Sequence, residues 1–227
     1  MARLLNDRGP LLDRVHEAER LPALWLWLMA VMAICAGTYG AVFGMWHGTR
    51  LAFYVAVKFP LVLMVTAGLT MIINWILAAA VGIPLRFLQV AVLTFLTLAI
   101  ASVILVSLAP IAWLFTLSAP EPSRDARTAH NLLYLLHTAF VGAGGAVGSR
   151  VLWTALARVA PDRRVAATVY ALWMLSFAFV GGEVAWALRP FVGSVYYPIV
   201  FLRPDALDGN VYEFIGTQIL PYLLSNE

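Results

Sequence analysis

Long apolar runs separated by short polar stretches dominate this chain. Residues 24–46 carry no charge, and the runs 51–82 and 87–117 are uncharged apart from Lys58. A helix that crosses a bilayer needs about 20 such residues, because the hydrocarbon core is about 30 Å thick. The pattern therefore predicts an all-α fold built from membrane-spanning helices.

Two prolines fall inside runs that are too long for one straight span. A helix over the whole second run would measure ~48 Å, so we expect the span to begin near Pro60, since proline is accepted in a first helical turn. Residues 51–59 would then lie along the outer interface. In the third run, Pro110 should kink or end the helix, which leaves 111–118 as an interfacial turn.

The pattern predicts a polytopic transmembrane helical bundle of five spans, with interfacial helices at both ends. The spans run from Leu24 to Trp46, Pro60 to Val81, Phe87 to about Pro110, Asn131 to Leu156 and Ala166 to Leu188.

Three segments follow from these spans. Residues 1–20 form a cytoplasmic amphipathic segment, for which a solvated tail is the alternative, and 21–190 form the five-span domain. Residues 191–227 form an outer-face apolar loop and a short surface helix, which Asn210 and Glu213 start as a capping box.

The distribution of basic residues predicts the orientation. With a cytoplasmic N-terminus, nine basic residues lie inside and six outside, and the positive-inside rule favours that arrangement. The inner set is Arg3, Arg8, Arg14, Arg20, Arg86, Arg150, Arg158, Arg163 and Arg164, and the outer set is Arg50, Lys58, Arg124, Arg127, Arg189 and Arg203. We expect a multi-pass protein of the bacterial plasma (inner) membrane.

Composition agrees with a membrane location. Hydrophobic residues make up 62% of the chain and charged residues 12%, against about 25% charged residues in soluble domains. No basic cluster suits nucleic acid, and the single cysteine, Cys35, excludes an intramolecular disulfide. The predicted partners are the lipid bilayer and either a second copy in a homo-oligomer or another membrane protein, with no cofactor and no metal.

Glycines predict where helices pack closely. Gly40 and Gly44 are four residues apart in the first span, and the fourth span contains Gly142, Gly144, Gly145 and Gly148. Small residues at this spacing let two helix backbones approach. The alternatives are glycines tolerated in lipid or, for the fourth span, a thin helix lining a pore.

Four ionisable residues inside or at the edge of spans form a predicted polar intramembrane cluster. They are Lys58, His137, Glu183 and Arg189. Ionisable groups in membrane spans are functional candidates by default. The alternatives are a snorkelling lysine, a hydrogen-bonded structural histidine, and an ion pair of Glu183 with Lys58, which is better placed than Arg189.

The chain contains no H-E-x-x-H, G-x-S-x-G or P-loop motif, so no catalytic residue is predicted. The first hypothesis is a non-enzymatic assembly or accessory component that self-associates or binds a membrane partner. The second is a small transporter or channel with an outer vestibule around Lys58, His137 and Glu183. A lipid-directed enzyme with His137 and Glu183 as acid and base has the least support.

The motifs L-R-P-F-V-G at 188–193, F-L-R-P-D at 201–205 and G-N at 209–210 resemble a family of bacterial polytopic membrane proteins. That resemblance implies the membrane bundle and carries no activity with it. The five-span layout with a cytoplasmic N-terminus is also similar to Yip1-type membrane proteins.

Overall fold

The computed structural model describes residues 13, 15, 17, 20–193 and 198–219, and this part of the chain is mostly helical and contains no strands. The helices are α1 (Leu21–Gly44), α2 (Thr49–Ala80), α3 (Phe87–Ser118), α4 (Arg127–Val159), α5 (Arg163–Ala187) and α6 (Val211–Phe214). Short 3-10 helices occupy Met45–His47 and Arg124–Ala126, and a π-helical turn follows α6 over Ile215–Ile219. Most of the predicted amphipathic segment 1–20 lies outside the described residues.

Five helices are long and apolar enough to cross a membrane, namely α1 with its 3-10 extension, α2, α3, α4 and α5. The predicted fold class, an all-α transmembrane bundle with five spans, is therefore confirmed. The observed helices extend beyond several predicted ends: α4 begins at Arg127 rather than Asn131, and α5 begins at Arg163 rather than Ala166.

The predicted helix start at Pro60 is wrong, and so is the predicted interfacial turn at 111–118 after Pro110. Each proline lies inside a continuous helix of 32 residues. Pro60 leaves the carbonyl of Ala56 without its helical donor, and α1 packs closely there, since a Cβ built on Gly37 would lie 3.1 Å from that oxygen. Membrane helices tolerate proline where neighbouring helices cover the freed group.

One face of residues 51–59 is part of the core. Leu51 and Val55 are completely buried, and Phe59 is almost so. All three lie on the part of α2 that packs against α1, where Gly40 and Gly44 approach the backbone of α2. Burial of this apolar face explains why the helix starts at Thr49 and not at the proline.

Helix α3 is the centre of the bundle. It packs against α1, α4 and α2, and a larger share of it is buried than of any other span. Helix α1 also packs against α2, while α5 packs between α2 and α4. Helices α4 and α5 are the least buried of the five, so their side of the bundle presents the most surface to the membrane.

Hydrogen bonds between loops gather the helix ends into two groups. At one end, the indole nitrogen of Trp46 donates to the Pro120 carbonyl at 2.9 Å. We call this the Arg189 end, and it comprises 45–48, 119–126, 188–193 and 198–219. At the opposite end, the indole nitrogen of Trp75 donates to the Leu85 carbonyl at 3.0 Å.

Helix α6 packs beside the last turns of α5. The side chain of Asn210 accepts a hydrogen bond from the Glu213 backbone nitrogen at 2.8 Å, so the helix starts where its cap predicts. The Tyr212 ring stacks on Phe179 with centroids 4.7 Å apart, and Phe214 contacts Trp186 at 5.1 Å. These aromatic contacts fix the chain after 210 against α5.

Candidate functional site

Lys58 holds the segment that follows α5. It lies on α2 with no solvent exposure, and its Nζ donates to the Pro190 carbonyl at 3.4 Å. The same nitrogen lies 5.3 Å from the centre of the Phe201 ring, a distance at which a cation is attracted to the ring face. The only lysine of the chain thus contacts both 190 and 201.

Arg189 is paired with Asp205, which the sequence analysis did not single out. Its NH2 lies 3.6 Å from a carboxylate oxygen of Asp205, and its NH1 donates to the Trp186 carbonyl at 2.7 Å. The guanidinium also lies 3.8 Å from the centre of the Trp186 ring. Arg203 makes a bidentate contact with the same carboxylate, donating to the two oxygens of Asp205 at 2.9 and 2.7 Å.

The environment of Asp205 favours its charged form. Partial desolvation raises the pKa of this carboxyl, but its backbone hydrogen bond, the hydrogen bond from Arg203 and the charges of Arg203 and Arg189 outweigh that effect. The pKa of Asp205 therefore lies below its ordinary value. Desolvation and the charge of Arg203 lower the pKa of Arg189, while Asp205 opposes them. The three residues form one charged unit at the Arg189 end.

Glu183 does not join that unit. Its Oε1 is buried and has no hydrogen-bond partner among the described residues. The expected ion pair with Lys58 is not formed. The ion pairs of the described chain join Arg158 to Asp13 and both Arg189 and Arg203 to Asp205. The physical reason is that Lys58 contacts the Pro190 carbonyl instead.

Glu183 lies beside α6. The pKa of Tyr212 is raised mainly by desolvation and to a smaller extent by the charge of Glu183. The Tyr212 hydroxyl donates to the Phe179 carbonyl at 2.7 Å, and a Cβ built on Gly182 would lie 3.0 Å from it. Gly182 thus lets α6 approach α5 beside the acid.

His137 is a buried, hydrogen-bonded histidine. It is 1% exposed, and its Nδ1 lies 2.8 Å from the Tyr39 hydroxyl. Its ring stacks on Phe43, with centroids 4.2 Å apart. The structure therefore places His137 in a contact between α4 and α1 and not beside Glu183.

Gly193 fixes the chain just after α5. Its φ of +87° is a conformation that favours glycine, and a Cβ at this position would collide with the ring of His47. Nε2 of His130 donates to the Gly193 carbonyl at 2.9 Å. The two histidines thus hold one residue of the L-R-P-F-V-G motif from two sides.

The glycines of α4 divide into two pairs. A Cβ on Gly144 would lie 2.9 Å from the Ala101 carbonyl oxygen, and one on Gly148 would lie 2.5 Å from that of Thr97. Nothing lies within 4 Å of a Cβ on Gly142 or Gly145. The first pair lets α4 approach α3, while the second pair faces open space. On α1, Gly40 and Gly44 lie against the backbone of α2 in the same way as the first pair.

A cavity of about 470 Å³ opens at the Arg189 end, between 190–193 and 198–205. Its lining includes Arg203 and Asp205 but not Lys58, His137 or Glu183. In the described chain, no group of three or more histidine, cysteine or acidic side chains could hold a metal ion.

The important residues that the sequence analysis missed are Tyr39, Arg203 and Asp205. The spacing Arg203-Pro204-Asp205 was a usable signal, because a turn at proline brings the flanking side chains together. Tyr39 gave no signal, since a tyrosine in an apolar span is ordinary. Comparisons with protein families, with curated proteins and with solved structures found no match for this chain.

Proposed function

We propose that this multi-pass protein is a non-enzymatic assembly component of the bacterial plasma membrane, and that it pairs with a second copy of itself through α4. The observation that carries the proposal is the open glycine pair, Gly142 and Gly145, beside which Ala146 is also exposed. We call these three residues the open glycine face. Small residues at helical spacing allow a second helix to approach closely and pack.

The position of this face supports pairing. Helix α4 is among the least buried spans, so the face lies on the side of the bundle that is free to meet another protein. Copies inserted in the same orientation can be related by a twofold axis along the membrane normal, which places the same face of α4 on both sides of the contact. Pairing therefore needs no binding surface other than this face of α4 on each copy.

The polar cluster supports a structural role over a transport vestibule. Lys58 and His137 are almost completely buried, and each is hydrogen-bonded within the protein. A transport site needs side chains that solvent or substrate can reach. His137 is hydrogen-bonded to Tyr39, whereas the buried Oε1 of Glu183 has no partner among the described residues, which also disfavours an acid and base acting together on lipid.

The assembly proposal is tested by measuring stoichiometry in bilayers. Fluorophore-labelled protein at low density in supported bilayers or nanodiscs should show two bleaching steps per particle. Gly142→Leu should reduce this to one step, because a leucine on the face prevents close backbone approach. The matched control is Gly68→Leu on α2, where a Cβ also meets nothing within 4 Å and where two steps should remain.

Two results would decide against pairing through α4. One is a native protein that bleaches in single steps at all densities. The other is a Gly142→Leu variant that stays dimeric. If the native protein is monomeric but a copurifying membrane protein is lost from Gly142→Leu and retained in Gly68→Leu, the face serves another partner instead.

We also propose that the Arg189 end lies outside the cytoplasm. The nine inner and six outer basic residues support this orientation. In a Cys35→Ser background, a cysteine at the exposed Leu207 should react with an impermeant maleimide in intact spheroplasts. A cysteine at Pro161, between α4 and α5, should react only after lysis. The reverse labelling pattern would overturn the orientation and leave the assembly proposal untouched.

A further inference from the structure

A second cavity lies inside the bundle, among α2, α3, α4 and α5, with a volume of about 110 Å³. Its inner wall includes Thr94 and Leu98 of α3 and Trp173 of α5, all of which are buried. The remaining wall is more exposed and includes Gly145 of α4 and Met174 and Phe177 of α5. The cavity therefore opens between α4 and α5, toward the membrane.

Thr94 carries an unsatisfied hydroxyl on the wall of this cavity. Its side chain is 6% exposed, and its Oγ1 has no hydrogen-bond partner in the described chain. Thr97, one turn later on the same helix, donates to the Leu93 carbonyl at 2.9 Å in the usual way. A buried hydroxyl without a partner is costly, so it needs an explanation.

The other polar groups of the lining are neutral. Asn74 also lines the cavity, and its Oδ1 accepts a hydrogen bond from the Ser176 hydroxyl at 2.7 Å. No charged side chain is among the described lining residues. A charged ligand group would lose its hydration without compensation here, whereas a neutral hydroxyl or carbonyl could bond to Thr94.

We propose that this cavity binds the polar end of a neutral, lipid-soluble molecule, a hydroxyl or carbonyl carried on an apolar chain, with Thr94 as its hydrogen-bond partner. A cavity of roughly 150 Å³ holds a molecule of benzene. The smaller space here accommodates the end group and its first few carbons, and the chain extends between α4 and α5 into the bilayer. The cavity shares Gly145 with the open glycine face, but ligand binding here does not require pairing through α4.

The test uses a long-chain primary alcohol that carries a photoactivatable diazirine near its hydroxyl. The full-length protein in nanodiscs is irradiated over a range of probe concentrations, and labelled residues are mapped by peptide mass spectrometry. Labelling should saturate and fall on the wall residues of α3, α4 or α5. An unlabelled alcohol should compete, and so should a ketone of equal length if the site accepts a carbonyl, but an alkane of equal length should not.

Thr94→Val removes the hydroxyl and keeps the shape, and it should weaken labelling by about three- to tenfold, the effect of one lost hydrogen bond. The matched control is Thr66→Val on α2. Thr66 is completely buried and its Oγ1 also lacks a partner, but it does not line the cavity. Labelling of this control should equal that of the native protein.

A second variant protects the test against misfolding of the first. Met174→Phe narrows the opening from α5, and it should also reduce saturable labelling. Gly142 does not line the cavity, so Gly142→Leu should not reduce labelling, which distinguishes loss of pairing from loss of ligand binding. Equal competition by the alkane, or native labelling in both Thr94→Val and Met174→Phe, would overturn the inference and identify the cavity as a packing gap.

Discussion

The hydroxyl of Tyr39 lies 2.8 Å from Nδ1 of His137, and this hydrogen bond joins α1 to α4. Both side chains are buried, with exposures of 0% and 1%. Each polar group therefore depends on the other, since neither side chain is accessible to bulk solvent. The contact also involves Phe43, whose ring stacks on His137.

Tyr39→Phe should destabilise the protein by about 1–3 kcal/mol, because it strands a buried histidine nitrogen without its partner. The measurement is equilibrium unfolding in mixed detergent micelles. Tyr134→Phe is the control, since the Tyr134 ring is 54% exposed on α4 and should cost little. In a Tyr39→Phe/His137→Leu double variant the cost should be less than the sum of the single costs. Additive costs would show that the bond contributes nothing.

The Lys58 and Glu183 substitutions should be additive, because these residues do not form an ion pair. Lys58→Met and Glu183→Gln, measured singly and together by unfolding, should show a coupling below ~0.5 kcal/mol. Arg203→Met with Asp205→Asn is the positive control, since that pair is in direct contact and should couple. A large coupling between Lys58 and Glu183 would restore the ion pair that the sequence suggested.

The spans were predictable because uncharged runs of bilayer length leave few alternatives to membrane helices. Pro60 was misjudged because the sequence does not show which carbonyls a neighbouring helix covers. Gly37, 23 residues before Pro60, lies against the freed Ala56 carbonyl. That contact depends on tertiary packing, so no local pattern around the proline reveals it.

The polar residues were likewise predictable only in part. A charge inside or at the edge of an apolar span identified Lys58 and Glu183 as unusual, but it could not supply their partners. Lys58 contacts a backbone carbonyl at Pro190, a group that every residue possesses and that no sequence motif marks. Arg189 finds Asp205 only because the chain turns back after α5. Partner choice follows from the path of the chain and not from residue type.

The two glycine pairs of α4 should respond differently to alanine. Gly148→Ala places a methyl group 2.5 Å from the Thr97 carbonyl oxygen, so it should force α4 away from α3 and cost about 1–3 kcal/mol of unfolding free energy. Gly145→Ala is the matched control, because its new methyl group meets open space. Thermal unfolding in one detergent compares them. Equal losses at the two positions would contradict the packing of Gly148 against α3.

The ion pairs of Asp205 with Arg189 and Arg203 attach the segment after α5 to the end of that helix. This attachment should weaken in acid. Arg203 and Arg189 hold the pKa of this carboxyl below its ordinary value, which is about 3.9 in unstructured peptides. A depressed folded-state pKa contributes stability above the ordinary value, and that stability is lost as the pH falls through the folded pKa. The ion pairs should therefore persist at neutral pH and fail below about pH 4.

A nitroxide at Leu207, in a Cys35→Ser background, reports this change through its electron paramagnetic resonance line shape, since the residue is 85% exposed and two positions from the acid. The label should become mobile as the pH falls below about 4. Asp205→Asn should be mobile already at neutral pH, with little dependence on pH. Asp208→Asn is the matched control, because Asp208 forms no ion pair within the described chain. A native transition that survives Asp205→Asn would mean that another group governs the attachment.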